Sequence, residues 1–276
     1  MTTATQDGAR TSGIAAGILG NRVETDRELL ERPRSSPDFR GSVSVAPESL
    51  EAGVRERVVA RCAPKAIGVG RRGLEVDRGR CIMCGWCREA APEVFRIESR
   101  FAEPVKAKGE LIVAQTPSVG PGTASASVDE IGERLRLKVN QVLGRSLAIR
   151  EVDAGSCNGC EVEVTALSNP VYDVERFGVH FVASPRHADV LLVTGVSSRN
   201  LELALRRTYE ATPEPKVVVA VGACACTGGI FGETYASGGG IAGVVPVDVF
   251  VPGCPPRPEA ILYGVLLAVD RVRPKA

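Results

Sequence analysis

The chain is poor in histidine, aromatics, net charge and long apolar runs, and each shortage narrows what it can do. Aromatic residues make up 4%, too few for base-stacking platforms or a heavily aromatic pocket. Lys+Arg at 34 against Asp+Glu at 33 leave a net charge of +1, so the basic footprint of a nucleic-acid binder is missing. The longest apolar runs, 217–226 and 261–269, have the length of core strands or helices and fall short of the roughly 20 residues that cross a bilayer. The N-terminal region offers only a short apolar segment at 13–20, without a basic n-region, a long h-region or a twin-arginine signal, and this predicts a cytoplasmic location. His180 and His187, the only histidines, fall in an expected strand and loop and read as structural.

Against those shortages stand nine cysteines among 276 residues. In a reducing compartment thiols do not persist as structural disulfides, so a cysteine-rich chain there holds metal or does redox chemistry. Thirty glycines and 18 prolines add an expectation of irregular backbone. At roughly 150 residues per domain the length suggests about two domains. Residues 1–50 show little periodicity and read as a tail with one short helix around 23–30. Residues 51–105 hold Cys62, Cys81, Cys84 and Cys87 among short apolar pieces, a domain too thin to stand on a hydrophobic core alone. Residues 106–127 carry Pro117, Gly120, Pro121 and Gly122 and read as a linker, and 128–276 form the main domain.

The main domain opens with an amphipathic helix near 128–143. Beyond it, β-type runs at 147–152, 179–182, 190–194, 216–221 and 247–251 alternate with helical stretches at 161–168, 200–209 and 257–272. This is the pattern of an α/β fold with a parallel sheet covered by helices on both faces. Cys157 and Cys160 follow the first strand, Cys224 the fourth and Cys254 the fifth. The carboxyl edge of such a sheet is where ligands bind, and four thiolates from three glycine-bearing loops can hold a cubane 4Fe-4S cluster. A four-cysteine zinc site is the other reading of the same residues.

The motifs Gly155-Ser156-Cys157-Asn158-Gly159-Cys160-Glu161, Ser184-Pro185-Arg186-His187-Ala188-Asp189, Gly222-Ala223-Cys224, Gly228-Gly229-Ile230-Phe231 and Val251-Pro252-Gly253-Cys254-Pro255-Pro256 together resemble the small subunits of membrane-bound, energy-converting NiFe hydrogenases of the formate hydrogenlyase type. They are also similar to the cluster-bearing B subunit of respiratory complex I. The resemblance implies a flavodoxin-like domain carrying one 4Fe-4S cluster on Cys157, Cys160, Cys224 and Cys254, beside a large subunit that in hydrogenases holds the NiFe centre. The two residues between Cys157 and Cys160 follow the hydrogenase pattern, since the complex I protein has adjacent cysteines there.

The run Cys81-Ile82-Met83-Cys84-Gly85-Trp86-Cys87 wraps three corners of a cubane. It resembles the second motif of a two-cluster bacterial ferredoxin, with Ala91 where the fourth cysteine stands, while Cys62 resembles the surviving tail of the first motif. In that family the fourth cysteine of each motif serves the other cluster, so the resemblance implies one complete set: Cys62, Cys81, Cys84 and Cys87. Zinc again suits four cysteines.

These readings combine into an expectation of a non-catalytic electron-transfer subunit with two 4Fe-4S clusters, serving a NiFe-hydrogenase-type large subunit. Other ferredoxin-like and membrane subunits would complete the complex at the cytoplasmic face of the membrane. The alternatives are a complex I-like NADH-quinone oxidoreductase B-type subunit that passes electrons to quinone, and a non-redox zinc scaffold. Cys226 reads as a spectator thiol, and Glu161 as a helix-start or solvent-facing carboxylate.

Overall fold

Strand β9 (Val217–Val221) shows how the main sheet is made. All five of its residues are buried, and because side chains alternate across a strand they serve two cores. Val217, Val219 and Val221 pack on one side of the sheet, Val218 and Ala220 on the other. The same holds for β8 (Val190–Thr194), which is also wholly buried. Together with β6 (Leu147–Asp153), β7 (Val179–Phe181) and β10 (Val249–Val251) they form a five-stranded sheet in the order β10-β9-β8-β6-β7, parallel throughout. This is the flavodoxin-like order, with the reversal of winding between β6 and β8.

The structure, a computed structural model, describes residues 39–46, 50–70, 73–114 and 127–273. Every described residue lies in one compact unit, within Ser35–Ala276. The helix expected at 23–30 and the Pro/Gly-rich stretch of the linker lie outside the described residues.

One face of the sheet is covered by α3 (Val128–Leu143) and α7 (Pro258–Val269), together with α4 (Gly159–Ala166). Helix α3 buries Val128, Ile131, Leu135 and Val139, the i, i+3, i+4 stripe of an amphipathic helix; each is worth roughly 1.5–3 kcal/mol of apolar burial. Ser127 and Glu130 close a capping box at its start. Helix α7 is apolar on all sides and buried along nearly its whole length, because it lies between the sheet, α3 and the chain entering from the N-terminal module. The opposite face carries α5 (Arg199–Ala211), whose Leu205 reaches the core. Among the described residues no helix is long and apolar enough to cross a membrane.

Among the described residues, the N-terminal module has two small antiparallel sheets, two α-helices and a 3-10 turn at Lys108–Leu111. Strand β1 (Ser42–Val45) pairs with β4 (Phe95–Glu98), and β3 (Gly73–Asp77) lies between β2 (Ile67–Gly70) and β5 (Ile112–Ala114). Helix α1 (Ala52–Arg61) and the short α2 (Trp86–Ala90) complete it. Its core, built on Val43, Val45, Val58, Val76, Val94 and Phe95, is small, and Cys62, Cys81 and Cys87 pack against it. Ala91, at the position of the missing fourth ferredoxin cysteine, is fully buried.

Two elements lie in segments that the sequence marks as tail and linker. Strand β1 falls within 1–50 and β5 within 106–127. Each is three or four residues long and is held by a partner far away in sequence, so neither produces a local periodic signal. The main sheet also captures Val105, which exchanges backbone hydrogen bonds of 2.9 and 2.8 Å with Phe250 of β10. Leu111 is buried with Phe250, Ala225 and Cys226. The N-terminal module is therefore fastened to the main domain by both backbone and core contacts.

Candidate metal centres

At the carboxyl edge of the main sheet, the loop after β6 is shaped by Asp153, whose Oδ1 accepts hydrogen bonds from the backbone N–H groups of Gly155 and Ser156 at 2.8 Å each. Asn158 takes the left-handed conformation and leads directly into α4, which carries Cys160 on its first turn. Cys224 lies in α6 (Gly222–Thr227), directly after β9, and Cys254 follows β10. The last two loops are tied together by Ala223 N–H donating to Gly253 O at 2.7 Å. Past Cys254, the buried Glu259 holds Arg257 at 3.1 Å and Tyr172 Oη at 3.2 Å, fixing the turn into α7.

Cys157 and Cys254 are exposed, Cys224 is half-buried and Cys160 is buried. Burial pushes the Cys160 thiol up, and Glu161, Cys224, Cys254 and Cys157 push it further. Cys224 is pushed up to about 11 by burial, then by Cys254, Cys157 and Glu161; Cys254 is raised by burial and then by Cys157. Cys160, Cys224 and Cys254 are thus each held toward the thiol form by neighbouring cysteines as well as by burial. Thiolates gathered in this way require a cation, and metal binding would release their protons. Space is left for one: a Cβ on Gly222, whose φ is +87°, would stand 2.5 Å from Cys160 Sγ, and one on Gly229 would stand 3.3 Å from Cys224 Sγ. These residues fit a thiolate-bound cluster, with glycine clearing the wall of the cradle.

In the N-terminal module the thiols of Cys62, Cys81, Cys84 and Cys87 line a single cavity, walled by Val58, Val76 and other apolar side chains. Left-handed backbone at Met83 and at Gly85 (φ +55° and +88°) curls the loop so that successive cysteines face inward. The backbone N–H of Ala66 donates to Cys62 Sγ at 3.3 Å, the kind of bond that stabilises a thiolate. Burial pushes Cys81 up to about 12 and Cys87 to about 11, with neighbouring cysteines adding to both. This donor set likewise fits a 4Fe-4S cluster. Among the described residues no three His, Cys, Asp or Glu side chains gather tightly enough around one metal ion; in the N-terminal module the thiols stand around a cavity.

Cys226 joins neither set. It is fully buried in the core facing α5, with its Sγ 3.8 Å from Ala220 O and 3.7 Å from Val251 O. His180 lies on β7 and His187 in a short 3-10 turn. Glu161 lies in the first turn of α4, as the helix-start reading has it, but it does not face solvent: both of its carboxylate oxygens are buried without a hydrogen-bond partner.

The two thiol sets meet at a seam that sequence reasoning missed. Thr227, three residues after Cys224, donates its hydroxyl to the carbonyl of Gly79, two residues before Cys81, at 2.7 Å. Within the N-terminal module, Arg40 Nη1 donates to the carbonyl of Cys84. A cavity of about 140 Å³ is lined both by Met83 of the N-terminal loop and by Gly253 and Cys254 of the C-terminal one. No local signal announces such contacts.

Residues 157–268 match the family model described as NADH ubiquinone oxidoreductase, 20 Kd subunit, and residues 76–110 match the 4Fe-4S single cluster domain of Ferredoxin I. The first stretch contains Cys157, Cys160, Cys224 and Cys254; the second contains Cys81, Cys84 and Cys87 but not Cys62. Among curated proteins, the chain is 51% identical over 144 residues to the probable membrane-bound hydrogenase subunit mbhJ of Pyrococcus furiosus, covering 51% of this chain and 86% of the relative. It is 43% identical over 149 residues to formate hydrogenlyase subunit 7 of Escherichia coli, covering 54% of this chain and 58% of the relative. To the B-type subunit of the NADH-quinone oxidoreductase of Citrifermentans bemidjiense it is 48% identical over 113 residues, covering 41% and 66%.

Proposed function

The chain belongs to the NADH ubiquinone oxidoreductase 20 Kd subunit family, which includes hydrogenase small subunits, and from that premise we propose that it is a non-catalytic relay holding two 4Fe-4S clusters. It is a subunit of a hydrogenase- or complex I-type oxidoreductase and contains a 4Fe-4S domain. In the proposal, Cys157, Cys160, Cys224 and Cys254 hold the cluster beside a catalytic large subunit, and Cys62, Cys81, Cys84 and Cys87 hold the cluster facing an external one-electron carrier. A bound cluster supplies a one-electron carrier and no bond-breaking chemistry.

The chain's own residues do the rest. Gly222 clears space at Cys160, Ala66 donates to Cys62, Arg40 holds the Cys84 loop within the N-terminal module, and Thr227 joins the two loops across the seam. The observation that carries the reading is that two groups of four cysteines lie in one unit, with the turn before Cys81 hydrogen-bonded to the helix that carries Cys224. The NiFe centre belongs to the large subunit, and ferredoxin-like and membrane subunits attach the complex to the cytoplasmic face of the membrane. The separation of Cys157 and Cys160 by two residues favours the hydrogenase type over quinone reduction.

Cys84→Ser in the intact complex tests the relay. The large subunit should stay bound while reduction of the C-terminal cluster by the external donor, followed by rapid mixing, slows sharply. An unchanged rate would mean that electrons enter elsewhere and that the N-terminal site is structural.

A further inference from the structure

Trp86, the only tryptophan in the chain, begins α2 between Cys84 and Cys87 and is 54% exposed. Together with Arg61 it also walls the cavity lined by Cys62, Cys81, Cys84 and Cys87. A body seated on this ring therefore comes close to the N-terminal thiol set.

Cations gather around the ring, although the chain as a whole carries a net charge of only +1. Arg61, exposed at the end of α1, holds its guanidinium 6.0 Å from the Trp86 ring centroid, within cation–π range. Arg40, also exposed, donates to the carbonyl of Cys84, two residues before Trp86. Arg57 lies four residues before Arg61 and so shares its face of α1, while Lys65 Nζ donates to Ala60 O on the last turn of that helix at 3.2 Å. Among the described residues none of these four cations meets a carboxylate. Glu56 points away, roughly 140° around α1 from Arg61. Glu89, three residues past Trp86 on α2, is the anion nearest to it in sequence.

Tryptophan and arginine are the residues that most often carry binding energy at interfaces. Short-lived redox encounters bury under about 1,200 Å² and use charge to steer the partners together. Resting on the two-cluster reading above, we propose that Arg40, Arg57, Arg61 and Lys65 around Trp86 form the docking surface for a soluble, acidic one-electron carrier protein. The reduced carrier loses one electron, and the site held by Cys62, Cys81, Cys84 and Cys87 gains it. No bond forms or breaks and no proton moves. Carboxylates of the carrier meet the cations, and the exposed indole packs against the carrier's surface.

The test follows, by rapid mixing and EPR, reduction of the N-terminal site in the intact complex by a reduced acidic two-cluster ferredoxin. The second-order rate should fall about tenfold between about 0.05 M and about 0.5 M salt. Arg61→Glu should lower the low-salt rate about tenfold and flatten its salt dependence, which a merely structural role would not do. Trp86→Ala should lower the rate by a similar factor. Arg57→Glu, at a residue outside the lining of the thiol cavity, serves where either variant loses iron. A filled N-terminal site whose reduction ignores both salt and charge reversal, as a subunit permanently seated over Trp86 would give, overturns the docking proposal alone. A wild-type complex without an N-terminal EPR signal overturns the two-cluster reading beneath it.

Discussion

The hydroxyl of Thr227 and the carbonyl of Gly79 share a buried 2.7 Å hydrogen bond, and through it the loop that ends the Cys224 helix is fixed to the turn that begins the Cys81 motif. Gly79 is itself pressed close: a Cβ there would meet Leu111 Cδ1 at 2.7 Å and Thr227 Cγ2 at 3.1 Å. In the two-cluster proposal a rigid junction of this kind keeps the two sites at one separation, whereas a tether would let it vary. Thr227→Val keeps the shape but strands a buried carbonyl, and should cost roughly 1–3 kcal/mol. Calorimetry should show a lowered Tm, with Thr227→Ser close to wild type; equal Tm values for the valine and wild-type chains would deny the junction its structural weight.

Gly222→Ala places a methyl group 2.5 Å from Cys160 Sγ at a residue with φ of +87°, so both the cradle and the backbone resist it. The expected outcome is selective: about four of the eight irons lost, all from the C-terminal site. Full iron content in the variant would mean that the cradle is looser than its glycine implies.

Cys226→Ser should leave iron, sulfide and EPR signals unchanged while lowering Tm, since a hydroxyl replaces a thiol at 0% exposure in an apolar core. Cys224→Ser should instead damage the C-terminal signal. The opposite pattern would exchange the roles of the two thiols.

Burial would raise the Asp270 carboxyl, but hydrogen bonds from Lys106 and Lys138 outweigh it and hold the group below the usual carboxylate range. These pairs tie α7 to the segment leaving the N-terminal module and to α3. A depressed pKa stabilises the fold above the unfolded value of about 4, and the contribution is lost as pH falls through the depressed value. Asp270→Asn should therefore lower Tm at pH 7, modestly because partly exposed pairs are worth about 0–1 kcal/mol each. Melting curves of the two proteins should converge in strong acid; a constant gap across pH would rule out the charge as the cause.

Much of the main domain is legible in the sequence because its signals are local. The helix at 128–143 can be read at both ends, from the capping box of Ser127 and Glu130 and from Gly144 at φ +61°, and β8 can be read from its unbroken apolar run. The first of the later helices starts two residues earlier than periodicity suggests, at Gly159, since it begins inside the cysteine motif. Strand β10 starts two residues later, at Val249, because Asp248 uses its side chain to accept from Val218 N–H at 3.0 Å. The cysteine sets are read from spacing, and the thiols of Cys62, Cys81, Cys84 and Cys87 line one cavity. Strands β1 and β5, the Thr227–Gly79 bond, Arg40 at Cys84 and the buried carboxylate of Glu161 are not, since each depends on chain segments that meet only in the folded protein.

The central claim, that one chain holds two clusters on two thiol sets, is tested most directly by iron and acid-labile sulfide analysis of anaerobically purified protein beside its Cys84→Ser variant. The account predicts about eight iron and eight sulfide per chain, falling to about four of each in the variant with the C-terminal EPR signal intact. Stoichiometric zinc without sulfide, or no more than four irons in the wild-type chain, would contradict it.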